Sequence, residues 1–130
     1  MIYGDRPGFS DLAQVVERAI DALSEHQDRF DSIVVTGVSG IVVGAPVSVL
    51  MGKALVVVRK PDDMSTHSFF SVENIRQIGN RYLFLDDFIL TGSTEKRVES
   101  IIYHRVKMYE IEPPKYIGRY EYDKNRLTFY

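Results

Sequence analysis

The stretch RYLFLDDFILTGST, residues 81–94, decides the fold of this chain. It starts with four bulky apolar residues, 82–85, a run typical of a buried strand in a parallel sheet that helices cover on both faces. Two carboxylates, Asp86 and Asp87, follow at the carboxyl end of that strand, where open α/β sheets bind their ligands. A short apolar linker then leads into the small-residue loop 91–94 and a helical pattern.

The loop TGST, residues 91–94, has the composition of a phosphate site. A glycine flanked by hydroxyl residues just before a helix lets backbone N–H groups and the positive end of the helix dipole approach an anion. Magnesium prefers oxygen ligands and keeps several waters. The acidic pair beside the loop therefore favours a magnesium-dependent phosphorylated sugar or nucleotide as ligand.

A second strand–helix–strand unit precedes this stretch. Residues 33–36 form a short β-branched run that predicts a buried strand, and the segment GVSG, 37–40, can turn sharply after it. Residues 54–58 predict the next strand, which carries Arg59 and Lys60 at its carboxyl end.

Between these two strands, residues 41–50 are apolar on nearly every side, which indicates a buried helix. Pro46 would disrupt the interior of a helix but suits a first turn. We therefore expect this helix to begin near Gly44 or Ala45.

Two amphipathic helices complete the α-helical part of the prediction. Ser10 can cap a helix whose apolar stripe runs from Leu12 to Leu23. Residues 94–106 predict another helix, with Glu95 among the polar residues that alternate with its apolar stripe.

The remaining strands lie near the C-terminus. Residues 115–122 and 126–130 alternate weakly around a turn signal and predict a short hairpin. Successive strand–helix–strand units imply an α/β fold with a parallel sheet flanked by helices. Residues 1–130 fit a single domain.

Residues 61–80 lack a clear periodicity, and the sequence leaves two interpretations open. They could hide a hairpin with weak strands at 69–72 and 75–78, or they could form a mobile flap over a site. The tyrosines and Phe129 of the C-terminal hairpin are similarly open: they could stack on a planar base, although packing into a core or an interface is the commoner role.

Composition excludes several classes of function. The chain has no cysteine, so disulfides, thiolate metal sites and cysteine nucleophiles are excluded, and its three histidines are scattered. A net charge of -2 gives no general reason to bind nucleic acid. The sequence shows no signal-peptide pattern and no apolar stretch that could span a membrane. We expect a cytoplasmic enzyme or binding module without nucleic-acid or membrane partners.

The stretch YLFLDDFILTGST resembles the phosphoribosyl pyrophosphate (PRPP) motif of the type I phosphoribosyltransferases. The segment SGIVVGAPVSVLMGKALVVVRK, residues 39–60, is similar to that family's pyrophosphate loop with its following helix and strand. The two segments occur in the family's order and spacing. The resemblance implies the family's fold and the transfer of a phosphoribosyl group from PRPP to a nitrogenous base in nucleotide metabolism or salvage, with magnesium as cofactor. It also suggests a homodimer.

The resemblance implies roles for individual residues. Asp86 and Asp87 would hold the ribose hydroxyls, directly or through magnesium. The other residues implied to bind PRPP fall into two groups, with Leu90, Thr91, Gly92, Ser93 and Thr94 around the 5-phosphate and Val38, Ser39, Gly40 and Lys60 at the pyrophosphate.

Three departures from the family pattern bear on activity and substrate. Leu90 stands where 6-oxopurine enzymes usually carry an aspartate, and Ser39 replaces the arginine or lysine of several relatives. Residues 61–80 contain no lysine, unlike orotate-specific relatives. The alternative function is a non-catalytic module that senses PRPP or a nucleotide, and a nucleic-acid-binding regulator on the same fold is the least favoured.

Overall fold

A computed structural model of the chain describes residues 9–59, 71–89 and 91–130, with the side chains of residues 9, 10 and 71 left out. Three helices and six strands make up the described part. In chain order they are α1 (Phe9–Ser24), β1 (Ser32–Thr36), α2 (Gly37–Met51), β2 (Ala54–Arg59), β3 (Ser71–Glu73), β4 (Arg81–Asp86), α3 (Ser93–Met108), β5 (Lys115–Glu121) and β6 (Arg126–Phe129). Short 3-10 turns lie at Gln27–Arg29 and Ile75–Gln77.

The six strands form one sheet in the order β3-β2-β1-β4-β5-β6. The four central strands are parallel, whereas β3 and β6 pair antiparallel to β2 and β5 at the edges. The predicted parallel α/β sheet and the C-terminal hairpin are therefore confirmed. From β1 the chain first proceeds to β2 on one side, and it then returns to β4 on the other side. The adjacent carboxyl ends of β1 and β4 form the switch point at which such sheets bind ligands.

Apolar side chains cover both faces of the sheet. On one face, residues of α1 and α2 such as Leu23 and Val47 pack with Leu83 and Leu85 of β4. On the other face, α3 packs on Tyr82 and the alternate residues of the same strand. All four residues 82–85 are at most 2% exposed, as expected for a central strand with both faces covered.

Helix α2 begins at Gly37, several residues before the predicted start, and contains Pro46 in its interior. Gly37 has a φ of 74°, a conformation that glycine adopts without steric penalty, so the chain turns directly from β1 into the helix. Val42, whose carbonyl would lose its partner at Pro46, is 43% exposed, so water can replace that hydrogen bond. The free energy gained by burying Val43 and Val47 against the sheet outweighs the cost of Pro46 inside the helix.

Two further expectations differ from the structure. The predicted strand at 75–78 is wrong, because Ile75–Gln77 is a 3-10 turn that follows Asn74 in a left-handed conformation. Its apolar signal reflects burial of Ile75 and Ile78 in the core. Helix α1 already includes Ser10, which was expected to precede it as a cap. Of the suggested flap, residues 61–80, the first half (61–70) lies outside the described part of the chain, whereas the second half contains β3 and the 3-10 turn.

Candidate active site

The two sequence motifs meet where β1 and β4 end side by side. Ser39, in the first turn of α2, donates a hydrogen bond from Oγ to Asp86 Oδ1 at 3.3 Å. Gly40 makes this approach possible, because a Cβ there would lie 3.0 Å from Val35 Cβ and 3.4 Å from the carbonyl oxygen of Leu85. The start of α2 therefore lies directly against the sheet beside the acidic pair.

The carboxylates of the acidic pair accept hydrogen bonds from the backbone that follows them. Asp86 Oδ1 accepts the N–H of Asp87 at 2.9 Å, and Asp87 Oδ1 accepts the N–H of Phe88 at 2.8 Å. The two acid side chains also lie close enough to interact directly with each other. Partial burial raises the pKa of Asp86 to about 6, and the neighbouring charge of Asp87 also contributes to this rise.

The small-residue loop faces the acids across a shared cavity. Gly92 lies at the N-terminus of α3 with a φ of 78°, and the N–H of Ser93 donates to Thr91 Oγ1 at 3.3 Å. The cavity has a volume of about 280 Å³. Its lining residues come from the end of β4, the linker and the loop: Asp86, Phe88, Ile89, Thr91, Gly92 and Thr94. A ligand there would contact Asp86 and the start of α3 together.

The structure brings most of the predicted site residues into one region. Asp86, Thr91, Gly92 and Thr94 line the cavity, and Ser39 is bonded to Asp86. Other predicted residues do not line it: Asp87 is next to Asp86, Ser93 begins α3, Gly40 packs on β1, and Val38 is 77% exposed at the start of α2. Lys60 and Leu90 lie outside the described residues.

The carboxylates of Asp86 and Asp87 suit a hard cation that takes most of its other ligands from water and from the substrate. Across residues 9–59, 71–89 and 91–130, no group of three or more acids or histidines could hold a metal ion. Two neighbouring carboxylates nevertheless fit magnesium, which keeps several waters and binds through one or two carboxylates plus substrate phosphates.

Tyr122 was considered from the sequence only as an aromatic residue that could stack on a base or pack in the core, and the structure gives its hydroxyl a different contact. Its hydroxyl donates to the carbonyl of Ser39 at 2.8 Å and so links the end of β5 to the start of α2. Burial raises its pKa to about 12, and the charges of Asp87, Asp123 and Asp86 add to the rise. Only its position at the end of a predicted strand signalled this role.

Glu95 was expected among the polar residues of its helix, and the sequence made no prediction for Glu121, yet both side chains are buried. Glu95 accepts hydrogen bonds from Arg119 Nη1 at 2.7 Å and from the hydroxyls of Tyr130 and Tyr116. Tyr116 and Tyr130 are thus engaged within the chain, although Tyr130 remains 65% exposed.

Glu121 pairs with Arg126, its cross-strand partner in the hairpin. An acid and an arginine flanking a predicted turn were the signal that could have revealed this pair.

Within the described part of the chain, no helix is long and apolar enough to cross a membrane.

Comparison with solved structures identifies the class of fold as that of the type I phosphoribosyltransferases. Orotate phosphoribosyltransferase from Aeropyrum pernix matches 88% of this chain and 59% of its own, with a TM-score of 0.69 and 14% identity. Adenine phosphoribosyltransferase from Saccharomyces cerevisiae, in a complex with adenine and an imino-altritol bisphosphate, matches 92% of this chain and 74% of its own, with a TM-score of 0.64 and 18% identity.

In sequence, the chain is similar to adenine phosphoribosyltransferase from Geotalea daltonii, with 28% identity over 109 residues. That match covers 72% of this chain, which spans only 63% of the length of the relative. No protein-family model matches the sequence. The expected resemblance to type I phosphoribosyltransferases is therefore confirmed at the level of the fold.

Proposed function

We propose that the chain transfers the phosphoribosyl group of PRPP to a nitrogenous base and releases pyrophosphate. The observation that carries this proposal is the hydrogen bond between Ser39 and Asp86, which joins the two motifs beside one cavity. The enzymes that share the fold, and the Geotalea relative, are named as phosphoribosyltransferases for adenine or orotate. Adenine is the first base to test because it is the substrate in the relative's name.

The reaction develops positive charge on the ribose ring and negative charge on the leaving pyrophosphate, so a site accelerates it by stabilising both. Asp86 and Asp87 would hold the ribose hydroxyls and face the developing positive charge. The first turn of α2, with the N–H groups of Val38, Ser39 and Gly40, would bind the pyrophosphate.

The start of α3 would bind the 5-phosphate. Backbone N–H groups and the hydroxyls of Thr91, Ser93 and Thr94 are the donors there, with Leu90 completing the segment. Lys60 would balance the charge of the pyrophosphate. Magnesium, held by Asp86 and Asp87, would supply a positive charge between the sugar and the diphosphate.

The test is pyrophosphate release from PRPP with adenine, hypoxanthine, guanine, orotate and uracil in turn. The double variant Asp86→Asn, Asp87→Asn should lose at least a hundredfold in turnover, because the ribose loses both carboxylates. Asp21→Asn with Asp28→Asn removes the same charge from exposed positions remote from the site and serves as control. Full turnover in a folded Asp86, Asp87 double variant would show that these acids are not catalytic.

A second candidate is a non-catalytic module that binds PRPP or a nucleotide. It is favoured by the lining of the cavity, which includes no lysine or arginine within the described residues, and by Ser39 in place of a cation. Fewer cations around the pyrophosphate would slow its departure. Tight PRPP binding in calorimetry, together with no pyrophosphate release for any base, would favour this function over transfer.

We also propose a homodimer, formed through the outer face of α2. Helix α2 contains no charged residue, and Val42 and Val49 are 43% and 78% exposed on its surface. An apolar helix face of this kind often marks a protein interface. Val49→Asp should shift the sedimentation of the protein from dimer to monomer, whereas Ser100→Asp on exposed α3 surface should not. A cytoplasmic location stays a prediction.

A further inference from the structure

The linker between the acidic pair and the phosphate loop is held by a buried carboxylate from another strand. Glu121, the last residue of β5, is 0% exposed, and its Oε1 accepts the N–H of Ile89 at 3.0 Å. Ile89 lines the cavity together with Asp86 and Thr91. The hydrogen bond therefore fixes the backbone at the point where the chain passes from the acids towards the loop.

This contact completes a series along the linker. The N–H of Asp87 donates to Asp86 and the N–H of Phe88 to Asp87, so the first two amides bind carboxylates of the pair itself. The next N–H, of Ile89, binds Glu121. Three successive amides thus donate to three carboxylates. The first two belong to the acidic pair, which is proposed to bind the ligand. The third, Glu121, comes from another strand and is not among the proposed ligand-binding residues.

Arginines keep Glu121 charged in its buried position. Arg126 Nε donates to Glu121 Oε2 at 2.9 Å, and Arg126 Nη2 lies 3.4 Å from Oε1. Arg119 adds a more distant charge, with Nε 3.9 Å from Oε2. A buried carboxylate is tolerated only when it is paired in this way. Although burial alone would raise its pKa, these donors and the N–H of Ile89 lower the pKa of Glu121 overall.

The hairpin supports the same segment through its backbone. The N–H of Tyr122 donates to the carbonyl of Asp86 at 3.0 Å, and the N–H of Asp123 to that of Asp87 at 2.9 Å. These bonds continue the pairing of β4 with β5 beyond the end of both strands. The acids are therefore held by backbone bonds, while Ile89 depends on the Glu121 side chain.

We propose that Glu121, held by Arg126, is a positioning residue that sets the distance between the acidic pair and the phosphate loop for a ligand that carries both a ribose and a 5-phosphate. Without this contact, the linker would sample several conformations, and the ligand would have to order it on binding. Affinity would then fall because ordering a flexible segment opposes binding. The inference rests on the proposed function, since it concerns how the same cavity binds PRPP.

The test measures two properties in the wild type and in Glu121→Gln and Arg126→Ala. The first is hydrogen exchange of the Ile89 amide by NMR, which needs no ligand. The second is the KM for PRPP and kcat, or the calorimetric Kd for PRPP with magnesium where no base supports turnover. A tenfold change in affinity corresponds to about 1.4 kcal/mol.

We expect faster exchange at Ile89 in both variants, with KM or Kd raised about tenfold and kcat changed by less than threefold. Arg126→Lys should recover part of the affinity, since it restores a positive charge beside Glu121. Arg29→Ala is the matched control, because Arg29 packs on Phe129 on the opposite face of β6, 3.6 Å from its ring centre, and should leave both measurements unchanged.

Different outcomes separate this inference from the proposed function. If the wild type binds PRPP and both variants bind it equally well, the positioning role is wrong, while the proposed function is decided separately by the release of pyrophosphate. If the wild type binds no PRPP, both are overturned. Since Glu121→Gln could unfold the protein, Arg126→Ala provides a second variant, because the Arg126 side chain is 52% exposed. Unchanged exchange at Ile89 in a folded variant would also overturn the inference.

Discussion

Two helices start beside the candidate site, and they are held there in different ways. Helix α2 contains no charged residue and lies directly on the sheet, where Gly40 and Gly44 permit close contact with Val35. Helix α3 carries several charged residues and follows Gly92, after a linker whose contacts include the side chain of Glu121.

This difference predicts that changes at the two helix starts affect different properties, stability at α2 and ligand binding at α3. The start of α2 is fixed by core packing, so changes there should affect the whole fold. The start of α3 is fixed by a turn and a few hydrogen bonds, so changes there should mainly affect what binds in the cavity. The following predictions test this separation.

Gly44→Ala should have the largest effect. A Cβ at this position would lie 2.5 Å from Val35 Cγ1 and 3.5 Å from Leu55 Cδ1, so α2 or β1 must shift. We expect a loss of about 1–3 kcal/mol in the free energy of unfolding, despite the higher helix propensity of alanine. Urea denaturation measures this loss. Ser100→Ala on α3 is the control and should change stability by less than about 0.5 kcal/mol.

Gly92→Ala tests the other helix start. The added Cβ has room, since its nearest neighbour is Glu95 Oε1 at 3.5 Å, so the penalty comes from the φ of 78°. A left-handed conformation costs other residues about 1–2 kcal/mol. We expect the loop to relax rather than the core to unfold, with PRPP affinity reduced about tenfold in calorimetry. Gly92→Asn should lose less, because asparagine tolerates this conformation better. Equal losses for alanine and asparagine would contradict the role of φ.

Tyr122→Phe removes the only described side-chain hydrogen bond between β5 and the start of α2. It should lower the free energy of unfolding by about 0.5–1.5 kcal/mol, the usual net value of one hydrogen bond. PRPP affinity should fall a few-fold, because Ser39 loses a fixed position. Tyr103→Phe on α3 serves as control. If the two variants were equally stable, the contact with Ser39 would contribute nothing.

The sequence predicted the strands and the order of the site because both follow from local rules. Apolar runs such as 82–85 are typical of buried parallel strands, and the carboxyl ends of parallel strands share one edge. The start of α2 was predicted wrongly, because the penalty at Pro46 is local whereas the burial of Val43 and Val47 depends on the assembled sheet.

The roles of Tyr122 and Glu121 were missed for a related reason. The side chain of Glu121 reaches Ile89, 32 positions earlier in the chain. Its pairing with Arg126 follows from the register of the β5–β6 hairpin. Sequence patterns indicated that a hairpin forms, but its register decides which polar residues are buried, and a one-residue shift would turn them to the other face.

The smallest effect on stability should come from Asp86, and it depends on pH. Burial, with a contribution from the charge of Asp87, raises the pKa of Asp86 from 3.8 to about 6 in the folded protein. Folding therefore favours the protonated acid, and this stabilisation is present below pH 3.8 and lost as the pH rises through 6. Asp86→Asn cannot ionise and escapes the loss. At pH 8 we expect it to exceed the wild type in stability by up to about 1 kcal/mol, since solvent screens the half-buried charge.

Urea denaturation at pH 4, 6 and 8 measures this difference, which should shrink towards low pH. Binding of PRPP with magnesium should show the opposite dependence, because a cation and ribose hydroxyls need the charged carboxylate. Wild-type affinity should fall up to tenfold for each pH unit below 6, whereas Asp86→Asn should bind weakly at every pH. A variant less stable than the wild type at pH 8 would contradict the raised pKa. Opposite pH dependences of stability and of binding would distinguish Asp86 from Glu95, whose carboxylate is already paired with Arg119.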